Sequence, residues 1–246
     1  MNENAIKPYN VKKRKAIAIS KFIVYCYSSQ TLGFLICLVF NLLATTLVGI
    51  FADSNEAKAG SYDIVAISWI AIIGVAFFKS TFTFSIQNGL SRKTYFITSL
   101  LISLLTSFAW SLLTVSIEYL ADAIGSPIII FAFMYKMDFI SMFIWTFGAL
   151  TFAFTFGWFI RMVLYRTSKR GKLIILGSIL LAALIILFVT LLTKVNLGGA
   201  LGTLFSYCLG LKMKIPNPYI AFSFFIGLSL IFSIGNYLLI RKAPAC

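Results

Sequence analysis

The feature that most constrains this chain is a series of six apolar blocks of about 20 residues, separated by connectors that hold the charged residues. Blocks of that length match the hydrocarbon core of a bilayer. Every backbone N–H and C=O within such a core must be bonded inside its own segment, so the blocks are predicted to be helices. β-Barrel strands would be about 10 residues long and alternate apolar with polar, which these blocks do not. The blocks run over residues 32–51, 64–78, 97–117, 139–160, 173–193 and 219–240. The expected fold is therefore an all-α membrane domain of six spans over 32–242. A basic arm precedes it (1–31) and a short tail follows (243–246). Composition agrees: 60% of residues are apolar and only 11% are charged, too few to cover a soluble domain of this size.

The basic residues set the expected orientation. Lys7, Lys12, Lys13, Arg14, Lys15 and Lys21 precede the first block, and Lys79, Arg92 and Lys93 lie between the second and third. Arg161, Arg166, Lys169, Arg170 and Lys172 lie between the fourth and fifth, and Arg241 and Lys242 follow the sixth. The opposite connectors carry only Lys58, Lys136, Lys194, Lys212 and Lys214, together with nearly all the acids: Asp53, Glu56, Asp63, Glu118, Asp122 and Asp138. Both ends of a cell-membrane protein are thereby expected in the cytoplasm. The net charge of +14 flanks apolar blocks and forms no stripe on a soluble domain, which argues against a nucleic-acid partner. The N-terminal stretch is too basic for a cleavable signal, and has no small-residue cleavage site before Leu32.

Three connecting segments carry information of their own. The stretch from Lys12 to Gln30 mixes Lys12, Lys13, Arg14, Lys15 and Lys21 with Phe22 and Tyr25. That pattern suits a helix lying in the membrane interface among anionic lipids, or a simple extension of the first span. In the stretch from Lys79 to Phe96, helix continuing past Phe78 places Phe78, Phe82 and Ile86 on one face. Asn88-Gly89 then breaks the helix and Ser91 caps the next one. The expected product is a short protrusion with exposed aromatics and a basic rim of Arg92 and Lys93. Either a partner's groove or lipid headgroups would cover those aromatics. The third segment is apolar and Gly-rich: Leu197, Gly198, Gly199, Gly202, Phe205 and Gly210 punctuate a run too short to cross, read as a re-entrant pair of short helices or a loose outer loop. The run from Pro127 to Tyr135 is also too short to cross, and is expected in the interface or on the outer ends of the helices.

Catalytic chemistry has little to work with here. There is no histidine, and Cys26, Cys37, Cys208 and Cys246 are too scattered for a zinc site or disulfide framework. Gly171-Lys172 lacks the remainder of a phosphate-binding loop. Glu118 and Asp122 form an i, i+4 acidic pair, expected to mark a solvated helix end. No paired carboxylates and no deep charges are expected within the spans, while Asn41 and Asn236 are expected to bond between helices. The chain is thus expected not to be an enzyme, and any uphill movement would draw on energy from another subunit.

The stretch Phe84-Ser-Ile-Gln-Asn-Gly-Leu-Ser-Arg-Lys-Thr-Tyr-Phe96, between a basic pre-span segment and a Gly-rich outer linker, resembles the membrane subunits of Gram-positive ABC exporters of the ABC-2 type. Within that family the similarity is greatest to the membrane subunits of staphylococcal phenol-soluble modulin exporters. The resemblance implies that Phe82, Phe84, Ile86, Gln87, Asn88, Gly89, Leu90, Ser91, Arg92 and Lys93 form a coupling helix gripped by a separate ABC ATPase. It implies two such ATPases holding ATP and magnesium, no cofactor on this chain, and a second six-span subunit. The implied substrate is an amphipathic, membrane-active peptide moving outward. Self-protection against a bacteriocin or antibiotic, and a non-transporting scaffold or sensor role, are the other readings.

Overall fold

The computed structural model describes residues 62–123, 131, 134–135, 138–167, 203, 206–212 and 216–243. The expected spans 32–51 and 173–193, the basic arm, and Leu197, Gly198, Gly199, Gly202 and Phe205 lie outside them. Four long helices account for most of the described chain: α1 (Tyr62–Gln87), α2 (Arg92–Ala123), α3 (Phe139–Arg166) and α4 (Pro218–Arg241). All four are long and apolar enough to cross a membrane, and no strand occurs among the described residues. They match the expected blocks 64–78, 97–117, 139–160 and 219–240 with longer ends. The excess is greatest, and equal, in α1 and α2; α1 meets no backbone breaker until Asn88-Gly89.

Local chemistry sets the ends. The Asp138 carboxylate caps α3, accepting from the backbone N–H of Ser141 at 3.1 Å. Asn217 caps α4 by accepting from Tyr219 N–H at 3.0 Å, and Pro218 follows where a missing N–H costs nothing. Hydroxyls inside the helices bond back to the preceding turn: Thr81 to Phe77 O at 2.5 Å, Thr151 to Phe147 O at 2.8 Å, Ser229 to Phe225 O at 2.8 Å. Such back-bonding satisfies polar side chains where no water competes.

Helix α3 is the hub, packing against α1, α2 and α4. It crosses α1 at Gly157 and Gly74. A Cβ on Gly157 would strike the Ala71 carbonyl oxygen, and one on Gly74 that of Phe154, so the two backbones approach as closely as glycine allows. On its other side, Asn236 of α4 donates to Thr155 O at 3.2 Å, the interhelical bond expected of that asparagine.

The burial pattern is inside out relative to a water-soluble bundle. Helix α2 turns Ser99, Ser103, Ser107, Ser111, Thr114 and Glu118 inward, all at 0–1% exposure, and presents Leu101 (55%), Leu105 (68%) and Leu120 (63%) outward. Apolar surface of that kind is stable against lipid.

Helices α1, α3 and α4 run one way and α2 the other, which separates two ends. Gln87, Arg92, Arg166 and Arg241 gather at a basic end; Asp63, Glu118, Asp138 and Asn217 gather at an acidic end. Each end has its own apolar cluster. At the basic end are Phe78, Phe82, Tyr95, Trp158, Met162 and Ile240; at the acidic end are Val115, Phe131, Tyr135, Trp145, Leu209 and Phe225. Phe131 and Tyr135 are thus packed on the helix ends, one of the two positions expected for the run ending at Tyr135.

Candidate functional site

The turn between α1 and α2 is built from two interlocking hydrogen bonds. Leu90 N–H reaches back to Ser85 O at 3.0 Å and Gly89 N–H to Ile86 O at 2.9 Å. This is a Schellman closure, which needs a left-handed residue just past the helix, and Gly89 supplies it at φ +79°. The Asn88 side chain donates to Phe84 O at 2.7 Å, occupying another of the last carbonyls. Ser91 then caps α2, its Oγ accepting from Thr94 N–H at 3.1 Å, as expected.

The aromatic face of this turn points inward, not outward. Phe82 is 1% exposed and stacks on Phe78 with ring centroids 4.8 Å apart. Tyr95 of α2 meets Phe82 edge-on at 5.3 Å, and Tyr165 of α3 meets Phe78 at 5.4 Å. Tyr95 also shares a 3.0 Å hydrogen bond between its hydroxyl and that of Thr81. Phe84, Ile86 and Leu90 are half-buried against the same cluster. The expectation of exposed aromatics is therefore corrected: the chain's own α2 and α3 cover them. The residues left exposed are Gln87, Asn88, Gly89, Ser91, Lys93 and Thr94.

Two contacts join this turn to α4. The Arg92 guanidinium donates to Arg241 O at 2.5 Å, and Phe96 lies 5.1 Å from Tyr237, ring to ring. All four described helices thus meet beneath the turn. The exposed surface is polar and basic, and the layer under it is aromatic and close-packed.

At the acidic end, residues 206–212 form a second Schellman closure around Gly210 (φ +69°), with Leu211 N–H on Ser206 O at 2.8 Å. Leu209 is buried, and its carbonyl accepts from the Tyr135 hydroxyl at 2.5 Å. Burial pushes the Tyr135 phenol up to about 12, so it donates as a neutral hydroxyl. Gly210 is the one position of the Gly-rich set that falls among the described residues.

Glu118 overturns a second expectation. It is not at a solvated helix end but fully buried, and it is a neighbour of Asp63 of α1, which is equally buried. A buried carboxyl pair therefore exists where none was expected. Asp63 additionally accepts from Phe131 N–H at 3.4 Å. The signal available in the sequence was the i, i+4 series Ser99, Ser103, Ser107, Ser111, whose polar face continues through Thr114 to Glu118.

No family model, no curated protein and no solved structure matches this chain. Its four long apolar helices are consistent with a multi-pass membrane protein.

Proposed function

We propose that this chain is the transmembrane subunit of an ATP-driven exporter of the ABC-2 type, with six spans and both ends in the cytoplasm. It pairs with a second six-span subunit, and each is seated on a separate ATPase subunit that binds ATP and magnesium. The substrate class is the amphipathic, membrane-active peptide, which partitions into lipid unaided and needs no fixed charge along an apolar route.

The observation that carries this reading is the turn 87–94: a polar, basic, solvent-exposed surface backed without a gap by packed aromatics from several helices. A partner that changes shape does work on a bundle only if it makes different contacts in its two states and the bundle does not yield locally. In this reading Gln87, Asn88, Gly89, Ser91 and Lys93 touch the ATPase. Phe82, Phe84, Ile86 and Leu90 stiffen the contact from beneath, and Arg92 ties it to α4.

The test is co-expression with an ABC ATPase encoded beside this chain's gene. The two are expected to co-purify, and an amphipathic helical peptide is expected to raise ATP hydrolysis by the complex. Gln87→Lys together with Lys93→Glu is expected to reduce co-purification by about tenfold, the effect of removing roughly 1.4 kcal/mol of contact. Undiminished co-purification and turnover in that variant would reject the turn as the ATPase seat.

A further inference from the structure

The segment 206–212 at the acidic end plays no part in the coupling described above, and it is two-sided. Leu209 and Gly210 are buried, while Tyr207 (60%) and Lys212 are exposed, with the Lys212 ammonium 5.5 Å from the centre of the Tyr207 ring. Backbone contacts fix its height in the bundle. Gly210 O accepts from Asn217 N–H at 3.1 Å, and Asn217 is the cap of α4. A Cβ on Gly210 would strike the Asn217 carbonyl oxygen, so the segment lies directly against that cap. Three more exposed aromatics stand at the same end: Tyr219 in the first turn of α4, Phe139 in the first turn of α3, and Tyr119 near the end of α2. Tyr119 meets Phe139 with ring centroids 5.4 Å apart, and the Tyr219 hydroxyl lies 3.4 Å from that of Ser141.

Exposed tyrosines gathered at one level of an apolar bundle suit the boundary of a bilayer, where the ring lies in lipid and the hydroxyl in water. The spacing along α4 supports that level. Tyr219 and Tyr237 are both exposed and stand 18 residues apart on one side of α4, with Leu230, Ile231 and Ile234 well exposed between them. Such a stretch of helix rises about 27 Å, close to the ~30 Å of a hydrocarbon core. We infer that residues 206–212 form a foot lying along the membrane interface at the acidic end, with Tyr207 and Lys212 among phospholipid headgroups. The occupant is lipid because the foot continues the ring of Tyr119, Phe139 and Tyr219, directly above the outward-facing leucines and isoleucines of α2 and α4. Lys212 adds a preference for anionic headgroups, as a long basic side chain at an interface does. The inference rests on the membrane-spanning part of the proposed function and needs no ATPase.

Depth in lipid nanodiscs is read by the collision of a nitroxide with oxygen, which concentrates in hydrocarbon, and with a nickel chelate, which stays in water. In full-length protein whose four cysteines are replaced by serine, the label enters at Tyr207→Cys, Tyr219→Cys or Leu230→Cys, one at a time. The oxygen-to-nickel ratio at position 207 is expected to lie within about twofold of that at 219, and at least about fivefold below that at 230. A ratio at 207 equal to that at 230 would overturn the proposal, because the segment would then dip into the bilayer. A nickel-dominated ratio well below that at 219 would overturn it by placing the segment in water, and weak collision with both agents by showing that protein covers it. A nickel-accessible label at 230 would instead reject the membrane-spanning reading itself. Tyr207→Trp in the otherwise native protein gives the answer without cysteine replacement. Its added emission should be quenched more by phosphatidylcholine brominated near the glycerol end of its chains than near their middle, and the reverse order would refute the foot.

Discussion

Arg92, the first residue of α2, donates from Nη1 to the carbonyl oxygen of Arg241, the last residue of α4, at 2.5 Å. A cation placed on the last carbonyls of a helix both satisfies an orphan acceptor and complements the helix dipole. The same guanidinium is anchored at the turn that closes α1. The turn is therefore tied directly to the end of a helix far away in the chain.

Removal of this tie should affect coupling more than stability. Arg92 is only half-buried, so Arg92→Ala is expected to cost about 0.5–1 kcal/mol, read as a small drop in the unfolding midpoint in detergent. In the proposed complex, peptide-stimulated ATP hydrolysis is expected to fall severalfold while ATPase co-purification is retained. Arg92→Lys, which keeps the charge but not the forked reach, should fall between the two.

Phe82 and Lys93 should behave in opposite ways, although they lie in the same turn region. Phe82→Ala opens a cavity beneath Phe78, Tyr95 and Tyr165 and is expected to cost about 3 kcal/mol. Lys93→Ala, on the exposed rim, should change stability by no more than about 0.5 kcal/mol. Unfolding midpoints of the two purified variants check both. An unchanged midpoint for Phe82→Ala would mean that its face is not covered by the chain.

Glycine substitutions separate close approach from open surface. At Gly157 an added methyl meets the Ala71 backbone, which cannot swing aside, so Gly157→Ala should destabilise by about 2 kcal/mol or more. At Gly227 nothing lies within 4 Å, and Gly227→Ala should instead stabilise α4 by about 0.5–1 kcal/mol. A pair of thermal melts with shifts of opposite sign is the expected result.

How far the sequence discloses this arrangement depends on the distance over which each cause acts. The four described helices, the break at Asn88-Gly89 and the Ser91 cap are legible because their causes are local: apolar length, a left-handed residue, a hydroxyl beside an N–H. Periodicity likewise places Phe78, Phe82 and Ile86 on one face. It cannot tell that Tyr165, on a helix much later in the chain, covers that face, and so the aromatics read as exposed. Asp63 and Glu118 fail for the same reason. Glu118 looks like an ordinary solvated helix end, and Asp63 like one more acid of an outer connector, until the α1–α2 hairpin buries both.

The contact between Tyr135 and Leu209 should leave a signature in alkaline solution. Tyr135→Phe removes the donor and strands a buried carbonyl, at a cost of about 1–3 kcal/mol near neutral pH. The phenol lies at about 12 in the folded protein against about 10 in an unfolded chain, because burial disfavours its charged form. A group whose folded value is raised contributes in full below its unfolded value and loses that contribution as pH climbs through the folded one. Wild type should therefore exceed Tyr135→Phe by a constant margin up to about pH 10, and the margin should close towards pH 12 because the unfolded chain's phenol ionises first. Midpoints of both proteins measured across that window test the prediction. A margin that stays constant to the alkaline limit would show that the Tyr135 phenol is not buried as described.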